Sequence, residues 1–382
     1  FCPECGEPAP RGPTPGHPFV LVAPALAPAD TALLDLDPAS PNRVLALVTT
    51  DGGPTSHTAI LAREKGIVAV VGASQAARLA DGDTVIVDAG SGSVTTDPSD
   101  EQRADAQRRA DERAAAEAAP VTPGALADGT AVPLLANLGS PAGAAEALEL
   151  GAEGVGLFRT EFLFLSSKEA PTVEAQQAEY TTLLTAFAGK KVVVRVLDAG
   201  ADKPLPFLND APEENPALGL RGLRALRASE QILRDQLTAL ARADAETDAD
   251  LWVMAPMIAT VEETRYFTSI ARELGLKTAG VMVEVPASAL LAERVLKHAD
   301  FASIGTNDLT QYTMAADRLL GTVATLQDPW HPAVLRLISH VGEAGATHGK
   351  PVGICGEAAA DPLLAVVLVG LGATTLSMAP AA

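Results

Sequence analysis

His57 stands in the run Asp51-Gly52-Gly53-Pro54-Thr55-Ser56-His57-Thr58-Ala59-Ile60-Leu61-Ala62-Arg63, a setting suited to carrying a covalent phosphate. Gly52, Gly53 and Pro54 interrupt the apolar stretch Val44 to Val48 and predict a tight turn. Thr55 and Ser56 then place hydroxyls at the start of a predicted helix, with Ile60 and Leu61 on its inward side. A helix N-terminus presents unpaired N–H groups and the positive end of the helix dipole, so new negative charge on the imidazole is partly compensated there. A neutral imidazole is also a competent nucleophile near neutral pH. A lone histidine more often caps a surface helix; the glycine pair and the hydroxyl pair favour the nucleophile.

A second set of reactive types lies further along the chain. Arg159 and Arg195 each close a predicted strand, and Arg221, Arg224 and Arg318 follow strands. Guanidinium groups grip phosphate and carboxylate oxygens in pairs, so several converging on one mouth would hold a small, doubly anionic substrate. Glu284 ends the apolar run Val281-Met282-Val283, where an unpaired carboxylate is costly, and Asp308 ends Ser303-Ile304-Gly305-Thr306-Asn307 one strand on. Two carboxylates on neighbouring strand ends suit a Mg2+ that keeps its other positions for water and ligand oxygens. Cys355, in Gly353-Ile354-Cys355-Gly356-Glu357, reads as a proton donor or acceptor beside Glu357. Gly151-x-x-Gly154-x-Gly156 lacks the spacing of a dinucleotide loop, and no Walker A run is present.

These residues need elements to position them. Residues 1–18 are rich in Pro and Gly and read as a tail. Their Cys2-Pro3-Glu4-Cys5-Gly6 has the shape of half a zinc knuckle, but with only His17 nearby it lacks four ligands. Residues 19–97 read as a small α/β unit with strands Phe19 to Ala23, Arg43 to Thr49, Val68 to Gly72, Asp83 to Asp88 and Ser93 to Thr95. Residues 98–124 read as a solvated helical connector spanning about 30 Å, ended by Pro120 and Pro123. From 125 to 382, β-rich runs alternate with helical stretches: Ala131 to Ala136, Gly154 to Phe158, Val192 to Leu197, Leu251 to Pro256, Gly280 to Val285, Phe301 to Gly305, Val352 to Cys355 and Thr374 to Ser377. That rhythm predicts a (β/α)8 TIM-type barrel, with an open doubly wound sheet as the alternative. Polar residues recurring at strand C-termini (Asn137, Arg159 with Glu161, Arg195 with Asp198, Glu284, Asn307 with Asp308, Cys355 with Glu357) favour the barrel.

Composition narrows the partners. The 382 residues are 47% hydrophobic and 20% charged, as in a globular chain with room for two or three domains. A formal net charge of -20 speaks against nucleic acid or an anionic membrane as a general partner, so any phosphate must be gripped by a few local arginines. No apolar run of about 18 residues and no signal-peptide pattern appear, which reads as a cytoplasmic protein. Three cysteines make no disulfide framework.

The His57 run, Gly154-Val155-Gly156-Leu157-Phe158-Arg159-Thr160-Glu161-Phe162-Leu163-Phe164, Val193-Val194-Arg195-Val196-Leu197-Asp198, Asp202-Lys203, Glu214-Asn215-Pro216, Gly305-Thr306-Asn307-Asp308-Leu309-Thr310-Gln311-Tyr312 and Cys355-Gly356-Glu357 fall in the order found in one family. From about residue 19 onward the chain resembles enzyme I of the bacterial phosphotransferase system, among the PEP-utilising enzymes. The resemblance implies that phosphoenolpyruvate binds in the barrel with Mg2+, that His57 accepts its phosphoryl group with release of pyruvate, and that the phosphate passes to the carrier HPr. It implies Arg159, Arg195 and Arg318 as the phosphate clamp, with Arg221 assisting and Asn307 adding backbone and side-chain contacts. It implies Glu284 and Asp308 as Mg2+ ligands and Cys355 as the acid that protonates the enolate. The chemistry asks for both, since transfer leaves an enolate in need of a nearby cation and a proton donor. It further implies a swivelling phosphohistidine domain, with the connector as a hinge element, and a homodimer formed through the barrel. In the family a helical HPr-binding module precedes the segment near Phe19, and a last barrel helix follows the eighth strand; neither is expected here. Ala201 replaces a usual second glycine and is expected to be tolerated. Two alternatives share this architecture: a dikinase or PEP synthase relative, which would need an ATP-binding domain, and a PEP-binding remnant that relays nothing.

Overall fold

The computed structural model describes residues 16–24, 26, 34–37, 39–51, 62, 67–117, 121–165, 169–199, 205, 207–208, 213–318 and 320–380. His57 and its glycine turn, the Cys2 and Cys5 pair, and Ala201 lie outside the described residues. The chain divides into two compact units, Phe1–Pro120 and Val121–Ala382.

In the first unit, β1 (Phe19–Ala23), β2 (Val44–Thr49) and β3 (Val68–Val70) form a parallel sheet in that order. The central strand β2 is apolar along most of its length and buries Val44, Ala46, Leu47 and Val48, as a strand covered on both faces should. A hairpin of β4 (Val85–Asp88) and β5 (Ser93–Thr96) follows. Its turn is held by Asp88 Oδ1, which accepts the N–H groups of Gly90 (3.0 Å) and Ser91 (3.2 Å). Helix Asp100–Glu117 starts on a reciprocal cap: Ser99 Oγ accepts the Gln102 N–H at 3.2 Å and Gln102 Oε1 accepts the Ser99 N–H at 2.9 Å. Its side chains are almost all polar or Ala, so same-face pairs such as Arg103–Asp100 and Arg109–Asp105 stand in for a buried stripe.

The second unit is a closed barrel of eight parallel strands taken in chain order: β6 (Leu134–Leu138), β7 (Val155–Arg159), β8 (Lys191–Arg195), β9 (Asp250–Ala255), β10 (Thr278–Val283), β11 (Ala302–Ile304), β12 (Val352–Ile354) and β13 (Thr375–Met378). Pairing of β13 with β6 closes the ring. Successive side chains point to opposite faces. On β8, Val192 and Val194 join the large core under the surrounding helices, while Val193 joins Leu157, Met254, Met282, Phe301 and Cys355 inside the barrel. Arg195 continues the inward series and emerges above that apolar layer. Parity along each strand thus decides which residues the mouth receives.

Candidate active site

A cavity of about 190 Å³ opens at the C-terminal ends of the strands, lined by Leu157, Arg159, Glu161, Arg195, Asp198, Arg221, Met282, Gly305, Asn307, Asp308, Arg318, Cys355, Gly356 and Glu357. Arg159, Arg195, Arg221, Asn307, Asp308, Arg318 and Cys355, scattered over about 200 residues of sequence, therefore share one wall system.

The four arginines divide into two kinds. Arg195 is buried, with Nη2 at 2.9 Å from Glu161 Oε1 and Nη1 at 3.3 Å from Asp198 Oδ2. Arg221 grips Asp198 with two nitrogens, at 2.7 Å and 3.3 Å, and reaches Asp308 Oδ1 at 3.2 Å. Burial works against charge on both guanidinium groups, but the carboxylates of Glu161 and Asp198 around Arg195, and of Asp198 and Asp308 around Arg221, outweigh it and hold each more firmly protonated than usual. Burial likewise disfavours the charge on Asp198, and Arg195 and Arg221 more than offset that, keeping its carboxyl below the usual range. Arg159 and Arg318, by contrast, are exposed, and their guanidinium groups make no hydrogen bond or ion pair among the described residues. Low-dielectric walls and the like charges of Arg195 and Arg318 pull Arg159 below the ordinary guanidinium value, with Glu161 acting the other way. An anion entering between these groups relieves that repulsion.

Glu284 is fully buried and lies just under the floor rather than on it. Its Oε1 accepts the Met257 N–H at 2.7 Å, and Oε2 has no hydrogen-bond partner among the described residues. Gly305 lines the cavity directly above; a Cβ there would stand 3.0 Å from Glu284 Oε2. Burial, followed by the charges of Asp308 and Asp198, pushes the Glu284 carboxyl up to about 8. Asp308 Oδ1 accepts from Arg221 and Gln311. An orphaned buried carboxylate oxygen next to a second carboxylate is a donor set that fits a hard divalent cation. No group of three or more His, Cys, Asp or Glu side chains forms a cluster among the described residues.

Cys355 is buried in the lumen face, its thiol 3.5 Å from the Ile304 carbonyl oxygen, and burial pushes it up to about 11. It is thus a protonated thiol at neutral pH. Asn307 Oδ1 accepts the Glu357 N–H at 3.0 Å, tying the loop after β12 to the helix Thr306–Met314. Asn137 lies within β6 and does not line the cavity; its Nδ2 donates to the Cys355 carbonyl at 3.1 Å. Arg224 donates to the carbonyls of Leu218 and Gly219 and also stays off the cavity.

Two contributors are not apparent from residue type. Tyr312 accepts from Arg221 Nη1 at 3.2 Å and donates to the Ala217 carbonyl, bridging the arginine to its loop. Its position four residues after Asp308 on one helix face was the available signal. Met257 adopts a left-handed backbone, φ 59°, that aims its N–H at Glu284. A Met at such an angle carries no sequence signature.

Residues 113–382 match the family described as PEP-utilising enzyme, PEP-binding domain, and residues 15–92 match PEP-utilising enzyme, mobile domain. The chain is similar to the phosphoenolpyruvate-protein phosphotransferase of Streptomyces coelicolor, 54% identical over 378 residues covering 98% of this chain and 67% of that protein. The phosphoenolpyruvate-protein phosphotransferase of Haloferax volcanii is 45% identical, covering 94% and 64%. The multiphosphoryl transfer protein of Xanthomonas campestris is 42% identical, covering 96% and 44%. The chain spans about two thirds of the length of these two phosphotransferases.

Proposed function

Because the chain belongs to the PEP-utilising enzyme family, we propose that it moves the phosphoryl group of phosphoenolpyruvate to His57, releases pyruvate, and passes the phosphate on to HPr. The observation that supports this best is the coexistence, in one cavity, of two guanidinium groups uncommitted among the described residues and a protonated thiol. On this reading the compartment is the cytoplasm and the barrel forms a homodimer; no helix among the described residues is long and apolar enough to cross a membrane.

Arg159 and Arg318 bind phosphate oxygens by charge-assisted bonds, while Arg195 and Arg221, fixed by Glu161, Asp198 and Asp308, supply a preorganised positive field. The bond between phosphorus and the enol oxygen breaks as an imidazole nitrogen of His57 takes the phosphoryl group, and the electron pair stays on the enolate. The enolate methylene carbon then takes the proton of the Cys355 thiol, giving pyruvate, and the thiolate regains a proton from water. Glu284 and Asp308 are the residues that would hold Mg2+, which when bound supplies positive charge beside the enolate oxygen and the phosphoryl group.

Mixing the protein with radiolabelled phosphoenolpyruvate and Mg2+ should release one pyruvate per chain and leave an acid-labile phosphate on His57. A His57→Ala protein that takes up label as well as the unaltered chain would sink the reading. Cys355→Ala is expected to slow pyruvate formation by about 10²- to 10⁴-fold, the range for loss of a positioned general acid, while the melting temperature stays close to that of the parent. Unchanged pyruvate formation removes the thiol from this role.

A further inference from the structure

Strand β7 carries one residue more than its neighbours. On one side, Ala136 pairs with Val155 but the next residue, Asn137, pairs with Leu157. On the other, Val192 pairs with Val155 and Val194 with Phe158. Gly156 is the extra residue of a bulge registered by both neighbours. Val155 and Phe158 belong to the outer core, whereas Leu157 packs inside the barrel and Arg159 lines the cavity beside its register partner Arg195. Strict alternation from Val155 would send Leu157 and Arg159 outward, beneath the helices. The bulge reverses that parity.

Glycine is required at the extra position for a steric reason. A Cβ at residue 156 would lie 2.4 Å from both Cβ and Oγ of Ser377 and 3.1 Å from Leu135 Cβ. Ser377 has little freedom to retreat, because its hydroxyl donates to Asn137 Oδ1 at 2.5 Å and Asn137 in turn holds the Cys355 carbonyl. We infer that Gly156 is a positioning residue: it allows the β7 bulge that turns Leu157 and Arg159 inward, and it acts on a bound anion through the charged one, Arg159. The inference rests on the functional reading above for the role of Arg159 as an anion ligand.

Calorimetric binding of phosphoenolpyruvate, with Mg2+ present, to the full chain and its variants tests it. Gly156→Ala and Arg159→Ala should each weaken affinity by about ten- to a hundredfold, the scale of a lost hydrogen bond to a charged group. Adding Gly156→Ala to Arg159→Ala should then change affinity by less than about threefold, because coupled sites are not additive. Ser377→Gly removes both conflicting atoms and should return most of the lost affinity to Gly156→Ala. Additive losses from Gly156→Ala and Arg159→Ala overturn the inference, as does Gly156→Ala binding like the parent. Should Gly156→Ala alone not fold, recovery of folding and binding with Ser377→Gly supports it; a folded pair that binds as weakly as Arg159→Ala overturns it. A parent chain that binds no phosphoenolpyruvate overturns the functional reading itself, so the two failures are distinct.

Discussion

Arg195→Met is expected to lower the unfolding free energy by about 3–5 kcal/mol, the cost of leaving a buried charge without its partner, and to abolish phosphoenolpyruvate binding. The barrel wall around Arg195 holds two buried carboxylates, Glu161 and Asp198, on one guanidinium. Asp198 keeps Arg221 when Arg195 is removed. Among the described residues Glu161 then keeps only the Asp198 N–H, at 3.0 Å. Methionine fills the volume, so the loss isolates the charge rather than a cavity. Arg159→Met, which breaks no pair among the described residues, should leave stability within about 0.5 kcal/mol yet weaken the ligand. Urea unfolding of the two variants makes the comparison, and equal destabilisation would contradict the division of the arginines into committed and free. Adding Glu161→Gln to Arg195→Met should recover part of the stability and none of the binding, because the amide ends the unpaired charge without replacing the guanidinium.

That division marks how far the sequence can be read. Runs such as Val192 to Leu197 and Gly280 to Val285 announce buried parallel strands, and the rule that polar residues gather at strand C-termini finds Arg159, Arg195, Asp308 and Cys355, which do line one cavity. The rule does not distinguish Arg159 from Arg195, since both close a strand and only the fold reveals which has carboxylates within reach. Strand edges slip where backbone donors are missing. The run Ala131 to Ala136 becomes Leu134–Leu138, because Pro133 has no N–H and the Val132 N–H is taken by the Gly124 carbonyl at 2.8 Å. Asn137 thereby falls inside the strand and turns to the Cys355 carbonyl. Gly154 and Gly156 are visible in the sequence as a glycine pair, but that one of them is supernumerary emerges only from pairing on both sides. Parity fixes what a strand shows to the lumen, and a single inserted residue changes it without altering composition.

Glu284→Gln should make the metal-free protein more stable while nearly eliminating phosphoryl transfer. In the native chain Glu284 is wholly buried, one oxygen satisfied by the Met257 N–H and the other by nothing among the described residues, with Asp308 and Asp198 close enough to disfavour its charge. A carboxylate so placed is a standing cost to the fold unless a cation neutralises it. With its carboxyl raised to about 8, Glu284 must take up a proton near pH 7 when the metal-free chain folds; glutamine keeps an acceptor for Met257 and needs no proton, so in the presence of EDTA the variant should gain on the order of 1–3 kcal/mol. Its amide is a poor partner for Mg2+, so the rise in melting temperature expected of the parent with Mg2+ and a phosphoenolpyruvate analogue, by mass action, should vanish. Pyruvate release should fall by about a thousandfold or more, corresponding to several kcal/mol of lost charge stabilisation. Scanning calorimetry with and without Mg2+ separates the effects. A variant less stable than its parent in EDTA, or one that still responds to Mg2+, would mean that Glu284 is held by the protein for its own sake. The expected pairing of higher stability with lost activity instead identifies its free oxygen as kept open for a ligand, beneath a floor that Gly305 leaves thin.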